Sequence, residues 1–182
     1  MTYLPPVLQI LLGFMVMTAG VVDIRHRRVP NWLTISGILA GIGLNTFLYE
    51  SAGLWLSLKG LGLALLVYFP LYAIRAMGAG DAKLMAAVGT IAGPWNWIGI
   101  FILTALIGGV CGLALLLTTG RTRQTLANVG FLLKEILYFR PPYMKKEELD
   151  IRNPKAVGLP HAAVIALGTL GFLVAAGIWA PR

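Results

Sequence analysis

Long apolar stretches alternate with short polar segments along most of this chain. Residues 5–22, 32–49 and 161–180 contain no charged side chain, and residues 54–74 contain one, Lys59. An α-helix rises about 1.5 Å per residue, so about 20 apolar residues cross the hydrocarbon core of a bilayer. The pattern therefore predicts a membrane-spanning helix at each of these four places.

A fifth apolar stretch, residues 84–119, is too long for a single span. It contains 36 residues without a charge. Gly93-Pro94 is the natural break, because proline disfavours helix in the residue before it. We expect a short and a long span here, which makes six transmembrane helices in an all-α integral membrane protein. Residues 1–182 then form a single polytopic domain.

Composition supports this fold class. Of the 182 residues, 58% are hydrophobic and 12% are charged, and the mean hydropathy is +0.79. A soluble domain carries about 25% charged residues. A single cysteine, Cys111, cannot form an internal disulfide, and His26 and His161 are not spaced as metal ligands. We therefore predict neither a metal site nor a cofactor.

The positive charges predict the orientation in the membrane. Of the 15 Lys and Arg residues, all but Lys59 and Arg182 lie in the loops after the first, third and fifth spans. These are Arg25, Arg27, Arg28, Arg75, Lys83, Arg121, Arg123, Lys134, Arg140, Lys145, Lys146, Arg152 and Lys155. Positively charged loops stay in the cytoplasm, so both termini are expected outside. This explains the net charge of +8 without a nucleic-acid partner and leaves the lipid bilayer as the expected partner.

Residues 120–160 form one long polar segment, predicted as a cytoplasmic loop. Apolar residues recur in it at helical steps of three and four between Leu126 and Leu137. This spacing predicts an amphipathic helix lying on the membrane surface, ended by Pro141-Pro142. Two interpretations remain open: a solvated connector, or a surface that receives a membrane-bound partner.

Two of the seven acidic residues stand apart from the rest. Asp23 follows the first span and Asp81 precedes the fourth, whereas the other five lie in loops. Two converging carboxyls do not both ionise readily, so one retains a proton while the other activates a water, as in an aspartic protease. A second interpretation stays open, because aspartate at the start of a helix often serves as a cap.

The neighbours of the two aspartates add detail. Gly78 and Gly80 precede Asp81, and glycine allows close backbone approach, either for an extended peptide or as a hinge. Lys83 follows Asp81 and is either a cytoplasmic anchor or a group that acts on the aspartate or on a substrate carbonyl. Asp23 is followed by a basic run and then by Pro30-Asn31, which turns the chain into the second span.

Together, these two segments resemble the motifs of the type IV prepilin peptidases, which are polytopic aspartic proteases of bacteria. The matching residues are Asp23 with Pro30 and Asn31, and Gly78, Gly80 and Asp81 with Lys83. The resemblance implies that Asp23 and Asp81 are catalytic and that the other five support the site or bind substrate. It implies cleavage of the short basic leader of a prepilin, before a hydrophobic helix, on the cytoplasmic side of the inner membrane.

The resemblance also indicates a subgroup. Larger family members carry an inserted cytoplasmic domain with four cysteines that accompanies N-methylation. This chain has one cysteine, and it is similar in size to the peptidases of tight-adherence (Flp-type) pilus systems. We therefore predict a peptidase without the methylating module. At the entry to the last span, His161 stands where the family has an aromatic residue.

Other classes of function fit the sequence less well. In a small transporter or channel component, Asp23 and Asp81 would bind an ion or relay protons. Such sites usually lie at mid-depth in the membrane, whereas both aspartates are predicted at one edge. An intramembrane protease of the presenilin kind fits the residues around Asp81, but not the basic loop at residues 25–31 or the short chain.

Overall fold

The computed structural model describes residues 4–74, 77–119 and 160–179, and their regular structure is α-helical. The helices are α1 (Pro6–His26), α2 (Asn31–Ala73), α3 (Ala79–Thr119) and α4 (His161–Trp179). Within these residues, α1, α2 and the Ala79–Leu115 part of α3 are long and apolar enough to cross a membrane. The all-helical expectation is confirmed. The interfacial helix predicted within residues 120–160 lies outside the described residues.

The first helix extends further than its apolar stretch. The sequence predicts a span ending at residue 22, but α1 continues to His26. It stops where Arg27 adopts a left-handed conformation (φ 54°), and the Arg27 N–H donates to the Asp23 carbonyl at 2.8 Å. Pro30 then precedes α2, which begins at Asn31. As a result, Asp23 lies inside the last turn of α1 and is joined to α2 by a short loop.

The second helix reverses direction at Glu50, whose backbone is non-helical (φ 53°, ψ −135°). The Asn45 Nδ2 atom donates to the Ser57 Oγ atom at 3.0 Å. Twelve residues of straight helix would separate these groups by about 18 Å. The arms at residues 31–49 and 51–73 therefore lie side by side and run in opposite directions, and they correspond to the spans predicted at residues 32–49 and 54–74.

The third helix reverses in the same way at Gly93 (φ 75°, ψ 170°), which confirms the break predicted at Gly93-Pro94. Trp97 Nε1 donates to the Met85 carbonyl, twelve positions away, at 3.1 Å. Because Pro94 has no N–H, the Thr90 carbonyl lacks its normal helical donor. Asn45 Nδ2 lies 3.1 Å from that carbonyl and 3.2 Å from the carbonyl of Ile91. Asn45 thus ties α2 to the break in α3.

The remaining contacts bring four helix ends together. α4 packs on both α1 and the second arm of α3, with Gly20 against Ala166 and Gly168 against Thr104. The C-terminal turn of α1 and the first turns of α2, α3 and α4 thereby meet at one end of the bundle. We call this the aspartate end, because it carries Asp23 and Asp81.

A cavity of about 250 Å³ lies at the opposite end of the bundle. Its lining includes Leu4, Leu8, Tyr49 and Trp95, together with Gly93 at the break in α3. The walls are mainly apolar, and neither aspartate borders it. This cavity is therefore separate from the candidate site described below.

Candidate active site

Asp23 is buried, with 7% of its surface exposed. Its Oδ2 atom accepts a hydrogen bond from the backbone N–H of Ala162 at 3.0 Å. Ala162 is the second residue of α4, and the first N–H groups of a helix have no partner within the helix. The first turn of α4, which is the positive end of the helix dipole, therefore holds this carboxyl in place.

Asp81 is the third residue of α3, and its carboxyl accepts a hydrogen bond from the backbone N–H of Gly78. In return, the Gly78 carbonyl accepts the N–H of Ala82 at 3.3 Å. An acidic side chain at the third helical position that bonds back to the capping residue is half of a capping box. Asp81 therefore does cap α3. A carboxylate has about four acceptor sites, so capping leaves capacity for a water or a substrate.

The two carboxyls are close enough for their charges to interact. This proximity arises because the last turn of α1 and the first turn of α3 meet at the aspartate end. Two further groups interact electrostatically with the pair: His161 with Asp23, and Tyr68 with Asp81. The structure thus brings together the two aspartates that the sequence singles out.

Tyr68 is a neighbour of the site that sequence reasoning missed. It is 2% exposed, and its ring lies edge-on to Trp97 and Phe101 at centroid distances of 6.1 and 6.0 Å. Trp97 and Phe101 are themselves stacked at 5.4 Å. In the sequence, Tyr68 resembles any aromatic anchor near the end of a span. Tyr68 comes near Asp81 because α2 folds back on itself, and the sequence alone does not indicate which helices then become neighbours.

The other predicted site residues also lie at the aspartate end. Lys83 Nζ donates to Asn31 Oδ1 at 3.0 Å, which joins the two motifs directly. Lys83 and Asp81 are two positions apart on a helix, or about 200° around its axis, so their side chains leave α3 on opposite sides. Gly80 contacts the loop before Pro30. Lys83 therefore bonds to α2 instead of sharing the face of Asp81.

The arrangement suits acid–base chemistry on a water molecule. An ionised carboxyl can take a proton from the water while a protonated one donates to the group under attack. Among the residues that the structure describes, no group of three or more His, Cys, Asp or Glu side chains is placed to bind a metal.

The chain is similar to known proteins over the segment that contains both aspartates. Residues 10–113 match the model of the type IV leader peptidase family, and this segment contains both aspartates. A protein named prepilin leader peptidase/N-methyltransferase from Xanthomonas campestris pv. campestris is 32% identical over 118 residues, covering 62% of this chain. Proteins of the same name from Myxococcus xanthus and Legionella pneumophila are 29% and 32% identical over 106 and 117 residues, covering 55% and 60% of this chain.

The matched segments cover 41%, 32% and 40% of these three relatives, so the chain spans well under half of their length. No solved structure matches. The family model nevertheless covers more than half of this chain, from the second turn of α1 to the second arm of α3. The chain therefore belongs to the type IV leader peptidase family.

Proposed function

We propose that this chain is a membrane aspartic endopeptidase that removes the short basic leader from type IV prepilins, with Asp23 and Asp81 as its catalytic pair. The observation that carries the proposal is the proximity of these two carboxyls, one buried and one half-buried, where the last turn of α1 meets the first turn of α3. Membership of the family and the names of the three relatives support the substrate class.

The proposed chemistry uses both protonation states of the pair. The ionised carboxyl takes a proton from a water held between the two side chains, and the resulting hydroxide attacks the peptide carbonyl carbon. The protonated carboxyl donates its proton to the carbonyl oxygen. The tetrahedral intermediate then collapses: the C–N bond breaks, the amine leaves with a proton from one carboxyl, and a hydroxyl group of the intermediate returns its proton to the other.

The proposed topology has six spans in the bacterial inner membrane. The reversals at Glu50 and Gly93 support two crossings each by α2 and α3. The positive loop between α1 and α2 lies at the aspartate end, so the positive-inside rule puts the active site on the cytoplasmic side and both termini outside. A prepilin would then present its basic leader to the site from the cytoplasm and its hydrophobic helix from the bilayer.

We further propose Flp-type prepilins as the substrates and cleavage without N-methylation. The three relatives carry a double name, prepilin leader peptidase and N-methyltransferase. The single cysteine supports a chain without the four-cysteine module of the larger family members. The mass of the processed pilin distinguishes the two cases, because an added methyl group raises it by about 14 Da.

The direct test is N-terminal sequencing of a candidate prepilin after incubation with the chain in liposomes. The wild type should produce a new N terminus at the junction of leader and hydrophobic helix, and Asp81→Asn should produce none. Absence of cleavage by the wild type, or equal cleavage by Asp81→Asn, contradicts the proposal. Ion flux into the same liposomes that Asp81→Asn abolishes would then favour the transporter alternative.

A further inference from the structure

The loop between α1 and α2 rests on the first turns of α3 through two contacts. A Cβ atom placed on Gly80 would lie 3.1 Å from Val29 Cβ and 3.3 Å from Val29 Cγ2. Asn31, two residues after Val29, accepts the hydrogen bond from Lys83 at 3.0 Å. The contacts on α3 therefore flank Asp81 on both sides in sequence.

The same loop is fixed to Asp23 at its other end. The Arg27 N–H donates to the Asp23 carbonyl at 2.8 Å, where α1 ends. Val29 is partly buried and packs against the hydrophobic core. A short chain of contacts thus runs from the backbone of Asp23, through the loop, to the residue next to Asp81.

We infer that Val29 is a positioning residue: seated on Gly80, and secured by the bond between Asn31 and Lys83, it sets the place of Asp81 relative to Asp23. The inference rests on the proposed function. Of the two roles that the sequence left open for Gly80 and Lys83, supporting the site or binding substrate, it assigns them the first.

The physical reason is that acid–base catalysis tolerates little displacement of the catalytic groups. A misplacement of about 1 Å can reduce the rate about 100-fold. A side chain at Gly80 would push Val29 away by a few tenths of an ångström or shift the first turn of α3. Either movement changes the separation of the carboxyls without altering any group that touches the substrate.

The first experiment places a methyl group at this contact. Gly80→Ala should lower kcat about three- to tenfold, as expected for local overpacking, with KM unchanged. Alanine favours helix more than glycine does, so folded yield and thermal stability should not fall. Gly62→Ala is the matched control, because a Cβ there meets nothing within 4 Å, and it should leave kcat unchanged.

The decisive variant adds space on the other side of the contact. Val29→Gly in the Gly80→Ala background should restore kcat to within about twofold of wild type, because it removes Cβ and Cγ2 of residue 29, the two atoms closest to the new methyl group. If Gly80 instead admits the substrate, Gly80→Ala raises KM and Val29→Gly does not rescue it. Either that result or a Gly80→Ala enzyme with unchanged kinetics overturns the inference.

A double-mutant cycle tests the second contact. Lys83→Met and Asn31→Leu should each lower kcat, and the double variant should lose no more than the worse single variant, because both remove the same bond. Additive losses would overturn this part of the inference. Lys59→Met, remote from the aspartate end, is the control. A wild type without activity rejects the proposed function, whereas an active wild type without rescue rejects the positioning role alone.

Discussion

Asp23 and Asp81 are held by backbone amides from different parts of the chain. Asp23 accepts the N–H of Ala162 from a distant helix, whereas Asp81 accepts the N–H of Gly78 within its own capping turn. Backbone donors are fixed by the helices that carry them, so neither carboxyl can shift freely. The separation of the pair is therefore determined by how α1, α3 and α4 pack.

Lengthening one of these side chains should therefore lower the rate of cleavage nearly as much as removing its charge. Asp23→Glu keeps the charge but moves the carboxyl by more than 1 Å and disrupts its bond to Ala162. We expect kcat to fall about 100-fold or more. The measurement is the initial rate of leader cleavage at saturating prepilin.

Glu50→Gln is the control for that variant. Glu50 is exposed and lies at the reversal of α2, away from the aspartate end, so its loss should not change the rate. An Asp23→Glu enzyme within about threefold of wild type would show that the position of this carboxyl is not critical.

Among individual residues, the sequence identifies the acidic pair but not the groups that surround it. Asp23 and Asp81 stand out because charge is rare at the edge of apolar stretches. The amide of Ala162 and the phenol of Tyr68 carry no such signal, because one belongs to the backbone and the other resembles an interfacial anchor. Both become neighbours of the pair only through long-range packing.

Each of the two long helices is divided by one residue with positive φ, and the two cases differ chemically. Gly93 has φ 75° and ψ 170°, a conformation that is accessible almost only to glycine. Glu50 has φ 53° and carries a side chain despite this cost. The break at Gly93 is the more demanding of the two, because Leu56 Cγ also lies 3.0 Å from where a Cβ would be.

Gly93→Ala should therefore destabilise the protein. Backbone strain of this kind costs about 1–3 kcal/mol, and contact with Leu56 adds to it. The measurement is the midpoint of thermal unfolding in detergent, followed by the fluorescence of the tryptophans. Gly62→Ala is again the matched control and should not lower the midpoint. Equal midpoints for Gly93→Ala and Gly62→Ala would show that adding a side chain at residue 93 does not strain the backbone at the break.

Asn45 should matter for stability and not for chemistry. Its amide donates to Ser57 Oγ and to the two carbonyls beside the Pro94 break. Asn45→Leu leaves the Thr90 carbonyl without this donor, and we expect a loss of about 1–2 kcal/mol in the free energy of unfolding. Reversible unfolding in mixed detergent micelles measures this difference.

Thr118→Val provides the comparison for Asn45. The Thr118 hydroxyl is exposed and bonds to the carbonyls of Ala114 and Leu115 within its own helix, so its removal should change stability little. Loss of cleavage by correctly folded Asn45→Leu protein would contradict a purely structural role for Asn45.

The sequence predicts the breaks better than the contacts they create. Pro94 indicates the reversal of α3 directly, and the charged Glu50 between two apolar stretches indicates that of α2. The apolar stretch at residues 5–22 does not indicate where α1 ends, because the helix continues beyond it to His26. The bond from Asn45 to the α3 break was not predictable, because it requires knowing which arms are neighbours.

Over the whole molecule, the helix ends sort into two groups. The aspartate end contains the C-terminal turn of α1, the first turns of α2, α3 and α4, and both family motifs, and the opposite end contains the reversals at Glu50 and Gly93 and the cavity. Alternation of apolar and basic segments is enough to predict this division. It does not predict that α4 lies against both α1 and the second arm of α3, a placement that gives Asp23 its amide partner.

The proposed topology predicts which end faces the cytoplasm. In a Cys111→Ala background, Ser51→Cys should react in whole cells with a membrane-impermeant maleimide, because residue 51 is exposed at the outer end. Arg28→Cys, exposed at the aspartate end, should react only after the cells are permeabilised. Labelling of Arg28→Cys in intact cells would contradict the orientation.

The central claim is that the two carboxyls act as a unit on one water. Its most direct test is the single-turnover rate of prepilin cleavage by Asp23→Asn, Asp81→Asn and the double variant. Each single variant should lose about 1,000-fold or more, and the double variant should be no slower than the worse of the two. Retention of near wild-type cleavage by either single variant, or losses that multiply in the double variant, would contradict the account.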